Sequence, residues 1–295
     1  MSSSLSELLQ LDLPAPCLWL FTTAHESVWK YNLVLGLLQL VVIKGIVIVC
    51  DYVCDKGWIS KLASRKLIHL SATCLPFLWP YYIHVESLLR VSKDRQPLLQ
   101  STIEFSNWDV WSYRFNAMTG IVYGCQLLVE GYFFPNPDDP NLKVMTRTGN
   151  PLELCLGPLF FAMVLVYVGL YQFRTRLSCY FMGCMGFGDF VAPLVGTQFP
   201  YGTYPTYSRD ATLKETKSLA GSFAMFVGSI LGMIVLEYAL LVRDDEEWRL
   251  DPDEYRNIVG IAITATTAEA ISGQFDNLVI VICVAVYAHF SGVLM

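Results

Sequence analysis

Long apolar runs alternate with short polar connectors along the whole chain. A helix needs about 20 apolar residues to cross a bilayer. Eight runs come near that length, at about residues 30–52, 67–84, 110–134, 152–173, 178–197, 219–242, 256–273 and 276–295. The second carries Pro76 and Pro80, which remove backbone donors and should kink it. The fifth carries Gly183, Gly186, Gly188 and Gly196, so a broken helix is expected there. Irregular backbone at membrane depth persists only where protein buries it or it lines a polar cavity. The pattern predicts an all-α integral membrane protein, a bundle of seven or eight transmembrane helices. Residues 1–29 read as an N-terminal interfacial segment and 30–295 as one polytopic membrane domain.

With eight spans, the connectors after the first, third, fifth and seventh share one face. That face receives Arg65-Lys66, the Thr197–Ser218 loop and Asp276-Asn277, while Asp244-Asp245-Glu246-Glu247 falls on the other. The Cys54–Lys66 connector has the clearest excess of Lys and Arg, which assigns its face to the cytoplasm. Trp58, Trp79, Trp108 and Trp111 lie near span ends, as interfacial anchors should.

Composition sharpens this picture. Of 295 residues, 54% are hydrophobic and only 16% charged. Soluble domains carry roughly 25% charged residues, so lipid is the solvent here. The net charge of -6 gives no basis for binding nucleic acid. Nine cysteines are scattered through apolar runs, where Cys behaves as a small hydrophobe. Cys50 and Cys54 lie one turn apart, but no second Cys/His pair completes a zinc site.

Charge nevertheless enters the apolar runs in three places, and ionisable groups are rarely kept at that depth without a use. The first is Arg65-Lys66 with His69 one turn on. Such cations can snorkel to headgroups, and a guanidinium also suits a phosphate. The second is Gly188-Asp189 through Gly196, followed by Lys217-Ser218 and Gly221-Ser222. Asp189 offers a carboxylate and Lys217 a point charge. Gly196 would let backbone approach closely, and Ser218, Gly221 and Ser222 open a helix whose N-terminus can bind an anion. A glycine-rich packing motif beside a loop lysine explains the same residues. The third is Glu269 to Asn277, with two carboxylates and an amide around a bend at Gly273. Oxygen ligands of that kind suit a hard cation, while Asp276 or Asn277 could simply cap the last helix. No Walker A pattern occurs. Lys44, Glu130 and Glu237 also fall in apolar runs without an assignable partner, and His25, His84 and His289 read as structural.

The order R-K-x-x-H, G-D-x-x-A-x-x-x-G, K-[ST]-x-x-G-S, E-[AS]…D-N resembles the polyprenol kinase family, which includes phytol and farnesol kinases, dolichol kinase and the CTP-dependent diacylglycerol kinase. The matching residues are Arg65, Lys66 and His69; Gly188, Asp189, Ala192 and Gly196; Lys217, Ser218, Gly221 and Ser222; and Glu269, Asp276 and Asn277. The likeness covers about two-thirds of the chain, from near Arg65 onward. It implies a membrane enzyme that moves the γ-phosphoryl group of CTP to a lipid alcohol such as phytol or farnesol, within the lipid bilayer. Asp189 and Asp276 would hold Mg²⁺, with Glu269 a third ligand or the proton acceptor. Arg65, Lys66 and Lys217 would neutralise phosphate charge. Gly188, Gly196, Ser218, Gly221, Ser222, His69 and Asn277 would surround the nucleotide.

Phosphatidate cytidylyltransferases look distantly similar, and a cation-coupled transporter with broken helices is a third reading. The chain departs from the phytol kinases in its longer Thr197–Glu215 loop, in Phe190 where those enzymes have Gly, and in a shorter segment before Asp276. The first residues, Met1 to Asp12, have neither a signal peptide's basic start nor a transit peptide's Arg-rich, acid-poor character. An endomembrane such as the endoplasmic reticulum is therefore expected rather than a plastid.

Overall fold

The computed structural model describes residues 14–23, 27–86, 105–136, 142, 145–146, 149–206, 216–241, 252–273 and 275–293. It is an all-α membrane protein. Helix α1 is Ala15–Thr23, α2 is Val28–Asp55 and α3 is Lys61–Thr73. A 3₁₀ segment, Leu75–Tyr81, continues α3. Helix α4 is Asn107–Trp111, followed by a 3₁₀ turn (Ser112–Ala117), α5 (Met118–Leu128) and a π-helical turn (Val129–Phe133). A 3₁₀ turn at Pro151–Cys155 leads into α6, Gly157–Tyr171. Helix α7 (Arg176–Met182) runs through a π turn (Gly183–Gly188) into α8 (Asp189–Gln198). Helices α9 (Leu219–Leu241), α10 (Pro252–Ile271) and α11 (Asp276–Phe290) complete the bundle.

All eight apolar runs are largely helical, yet among the described residues four stretches are long and apolar enough by themselves to cross a membrane: Val28–Asp55, Pro151–Tyr171, Arg176–Gln198 and Leu219–Leu240. The others fall short for visible reasons. The second run gives up α-helix after Thr73, where prolines remove donors. The third is divided by 3₁₀ and π turns, the seventh opens on Asp253 and Glu254, and α11 has 15 residues.

The fifth run is not broken. Its glycines let helices touch instead. A Cβ on Gly186 would lie 2.2 Å from Thr73 Oγ1 of α3, and one on Gly188 2.3 Å from Ser229 Oγ of α9. No larger residue fits between these backbones, so the run is clamped between α3 and α9.

Buried amides tie α2 to the bundle. Asn32 Nδ2 donates to Ile83 O at 2.9 Å and Ser112 Oγ at 2.8 Å, and Ile83 N donates back to Asn32 Oδ1 at 3.0 Å. Gln39 Nε2 donates to Asn116 O at 3.0 Å and Thr119 Oγ1 at 3.1 Å, while Tyr82 OH donates to Gln39 Oε1 at 3.0 Å. A network this fully satisfied fixes the register of α2. Beyond Gln39, α2 loses such ties. Ile43 and Val47 form a small separate cluster with Leu75, and Leu127, Leu142, Leu154 and Ala162 form another. Space opens where these clusters fail to merge with the main core.

Trp58, Trp108 and Trp111 are exposed, as anchors are, but Trp79 is buried against Phe173 at 5.1 Å. Helix α1 occupies part of the expected interfacial segment, with Phe21 fully buried on Tyr31 and Trp19 exposed. Within the expected Thr197–Ser218 loop, two short strands pair antiparallel, β1 (Thr203–Pro205) and β2 (Thr216–Ser218), with Tyr204 opposite Lys217. Asp244 to Glu247 lie outside the described residues.

Candidate active site

The second and fifth runs meet at charge. Lys66 sits in the second turn of α3, whose start is capped by Ser60 accepting from Ala63 N at 3.1 Å. Asp189 is the first residue after the π turn, a backbone feature often found where a functional side chain must be aimed. Lys66 Nζ lies 2.5 Å from Asp189 Oδ2, and both side chains are nearly enclosed. His69, one turn further along α3, places Nε2 3.9 Å from the same oxygen. Its ring stacks on Phe161 of α6 with centroids 3.8 Å apart. Its Nε2 is buried and makes no hydrogen bond to any described residue.

A second lysine repeats the arrangement between β2 and α10. Lys217 Nζ lies 2.5 Å from Glu269 Oε1. It also donates to the backbone oxygen of Glu269, and to Ser272 O at 2.9 Å. These carbonyls belong to the open C-terminus of α10, where a cation is favourable. Asp276 accepts from Asn277 N at 2.9 Å, and Asn277 Nδ2 donates to Gly157 O at 3.2 Å, joining α11 to α6. Glu269 lies within electrostatic reach of Asp189 and Asp276, and Asp189 within reach of Lys217. One charged cluster therefore draws on α3, α8, β2, α10 and α11.

This cluster borders a cavity of about 420 Å³, a size typical of small-ligand sites. Arg65, Lys66, His69, Asp189, Asp276 and Asn277 line it. Its apolar lining comes from Ile43 and Val47 of α2, Ala72 of α3, and Phe161, Ala162 and Leu165 of α6. A polar wall and an apolar floor in one cavity suit an amphiphile whose head must meet charge.

Not every expected residue reaches this cavity. Lys217, Glu269, Gly188, Gly196, Ser218, Gly221 and Ser222 are absent from its lining. The packing alternative explains the glycines: a Cβ on Gly221 would lie 2.9 Å from Ala192 O, and one on Gly196 3.0 Å from Ser218 Oγ. Ser218 caps α9 by accepting from Gly221 N at 3.1 Å, which uses a donor otherwise open to an anion. Ser222 Oγ is 2.5 Å from Tyr204 OH of β1. Nor do Asp189, Asp276 and Glu269 form a ready metal cage. Among the described residues no group of three His, Cys, Asp or Glu side chains converges to hold an ion, because Asp189 and Glu269 each face a lysine.

The cavity also holds polar residues the motifs do not include: Lys44, Asp51, Thr119, Tyr123, Gln126, Glu130 and Glu153. A signal for some of them was present. Thr119, Tyr123, Gln126 and Glu130 recur at helical spacing within an apolar run, placing polar groups on one face.

Comparison with known proteins adds a second line of observation. A probable chloroplastic phytol kinase of Zea mays is 26% identical over 231 residues, 77% of this chain and 65% of the relative. A probable chloroplastic phytol kinase 1 of Glycine max is 31% identical over 177 residues, 59% of this chain and 48% of the relative. The chain is similar to the phytol kinases. Phytol kinase 1, chloroplastic, of Arabidopsis thaliana agrees, at 26% over 195 residues, 61% of this chain and 62% of the relative. The chain thus spans about half to two-thirds of the length of the phytol kinases it matches. These relatives bear out the resemblance to the polyprenol kinase family; a likeness to cytidylyltransferases gains no support from them. No protein-family model and no solved structure matches the chain. The phytol kinases also correct the expected location. They are named chloroplastic, against the preference for an endomembrane over a plastid. That preference rested on the composition of the first dozen residues, which has no bearing on the membrane bundle.

Proposed function

We propose that this chain is a lipid-alcohol kinase that transfers the γ-phosphoryl group of CTP, or another nucleoside triphosphate, to an isoprenoid alcohol such as phytol or farnesol. The observation that carries this reading is the pairing of Lys66 with Asp189, beside the bare Nε2 of His69, at the polar side of a cavity with an apolar floor. The similarity to phytol kinases supports it, and their chloroplastic names support action in a plastid membrane.

Phosphoryl transfer asks mainly for positioning and for cations on the phosphate oxygens. Lys66 and Lys217 are compact charges on flexible stems and can turn from carboxylate to phosphate. Arg65 lines the cavity beside Lys66, while Lys217 lies outside the lining, within electrostatic reach of Asp189. Asp189, Glu269 and Asp276 then offer hard oxygen donors, the chemistry Mg²⁺ prefers. The ion would neutralise phosphate charge, and it fits only once the lysines have moved. The alcohol oxygen attacks the γ-phosphorus, the bond to the β-phosphate oxygen breaks, and the nucleoside diphosphate leaves. The hydroxyl proton goes to His69 Nε2 rather than to Glu269, because His69 lines the cavity and Glu269 does not. The tail lies along the apolar floor toward Ile43, Ala72 and Leu165.

The test incubates the purified protein in detergent with labelled CTP or ATP and a panel of phytol, farnesol, dolichol and diacylglycerol. The expected products are a labelled isoprenyl monophosphate and a nucleoside diphosphate. Release of pyrophosphate with a CDP-lipid, or no transfer to any alcohol, would overturn the proposal.

A further inference from the structure

The lining of the cavity comes to the outer surface at one place. Among its lining residues only Lys44 and Ile48 are exposed, Ile48 by 58%, while the others are buried or half-buried. Both lie on α2, beyond the Gln39 hydrogen bonds to Asn116 and Thr119. Tyr123 of α5 packs on the small cluster of Ile43, Val47 and Leu75, so α5 is the helix that faces α2 here. Outside this point both helices are apolar and exposed, with Val41 and Val49 on α2 and Val122 on α5. The cavity thus reaches the lipid-facing surface between α2 and α5.

Lys44 lies about 16 Å along the helix from its Asp55 end, well inside the hydrocarbon. An ammonium is rarely kept at that depth without a use. Its stem can lie along the outer surface while its charge turns to the cavity it lines. The Tyr123 hydroxyl beside it is buried and makes no hydrogen bond to any described residue. Size points to the same opening. A cavity of about 420 Å³ is near the low end for enclosing one drug-sized ligand, about 300–1,000 Å³. It is too small to enclose a nucleoside triphosphate and a long isoprenoid chain together. We infer that the gap between α2 and α5 is a lateral mouth, through which the lipid alcohol enters from the bilayer and its tail remains in lipid. A hydroxyl passing here finds partners in Lys44 and Tyr123, where a wholly apolar wall would strip it of every hydrogen bond. The inference rests on the kinase reading for the identity of the lipid.

The test uses the full chain in lipid nanodiscs. A farnesol analogue with a photoreactive diazirine near its tail end is bound, and labelled residues are mapped by mass spectrometry. Label is expected on α2 around Ile48 and on α5 around Gln126, and excess phytol should remove it. Separately, Ile48→Trp narrows the mouth from its lipid side. Val41→Trp adds the same bulk at a 68% exposed position of α2 that does not line the cavity. Ile48→Trp should raise the phytol KM about tenfold, with the KM for nucleotide and for a short, water-soluble prenyl alcohol nearly unmoved. Val41→Trp should match the unaltered chain in all three. Label confined to other helices, or equal phytol KM values in the two variants, overturns the inference. Label at the mouth that phytol displaces, without phosphoryl transfer to any alcohol, upholds the opening and sinks the kinase reading instead.

Discussion

The two ends of the bundle both carry buried charge, and they handle it differently. At the cavity end, Lys66–Asp189 and Lys217–Glu269 are ammonium–carboxylate pairs, with side chains 12% and 4%, and 20% and 8%, exposed. At the other end, Arg176 at the start of α7 pairs with Glu254 in the first turn of α10, and Arg176 is 52% exposed. Glu237 of α9 is buried, and its Oε1 makes no hydrogen bond to any described residue. A half-exposed guanidinium that ties two helix starts together acts as a clasp. An enclosed ammonium beside a cavity can exchange its carboxylate for an arriving phosphate. One kind of pair holds helices, and the other is positioned to let go.

If that contrast is right, Asp189→Asn has the largest effect. Labelled transfer should fall at least about a thousandfold, while the protein still inserts and melts cooperatively. Wild-type turnover in this variant would erase the distinction between the two ends. His69→Gln should follow, with a loss of about a hundredfold or more. Its pH–rate profile should lose the limb on which rate rises with pH, since protonation of the imidazole blocks proton transfer. A limb that persists would move the proton acceptor elsewhere.

Lys66→Met tests the exchange from the cation's side. It should cut the rate about a hundredfold and also lower stability by about 3 kcal/mol, because a buried carboxylate loses its partner. Gly186→Ala inserts a methyl group against Thr73 and should cost about 1–3 kcal/mol by overpacking. It should also slow transfer, because it pushes Asp189 away from α3. The smallest effect belongs to the far end. Arg176→Gln should cost at most about 1 kcal/mol, as exposed pairs do, with the transfer rate nearly unchanged. A rate loss there equal to that of Lys66→Met would mean that both ends merely hold the fold.

Much of this was legible in the chain. Each of the eight apolar runs is largely helical, yet among the described residues only four helical stretches are long and apolar enough to cross a membrane, so the expected count of seven or eight spans does not follow from the fold. Parity puts Arg65-Lys66, the Thr197–Ser218 loop and Asp276-Asn277 on one face, but the direct pairing of Lys66 with Asp189, which lies inside the fifth run, shows only in the fold. What escaped were effects of close approach. Gly188 and Gly221 read in the sequence both as packing glycines and as lining for a nucleotide, and only the fold shows what lies opposite them, Ser229 against Gly188 and Ala192 against Gly221. Trp79 read as an anchor, but the 3₁₀ turn beneath α3 swings it into the core. Glu130 stands out in the sequence as a charge in an apolar run, but Tyr123 and Gln126 on the same face match no motif, although their helical spacing is plain. The Tyr204–Lys217 strand pair was hidden because three-residue strands leave no periodic trace.

The π turn at Gly183–Gly188 has one last consequence. Such a turn holds a surplus residue relative to an ordinary helix, and each residue of an α-helix advances the rotation by about 100°. Deleting one residue there would let the segment relax into regular helix, and the residues on either side, Asp189 among them, would keep nearly their present directions. The wide turn thus absorbs one unit of backbone locally, and a single deletion within Gly183–Gly188 should disturb the reaction centre less than one inside α8, which would turn everything beyond it by about 100°.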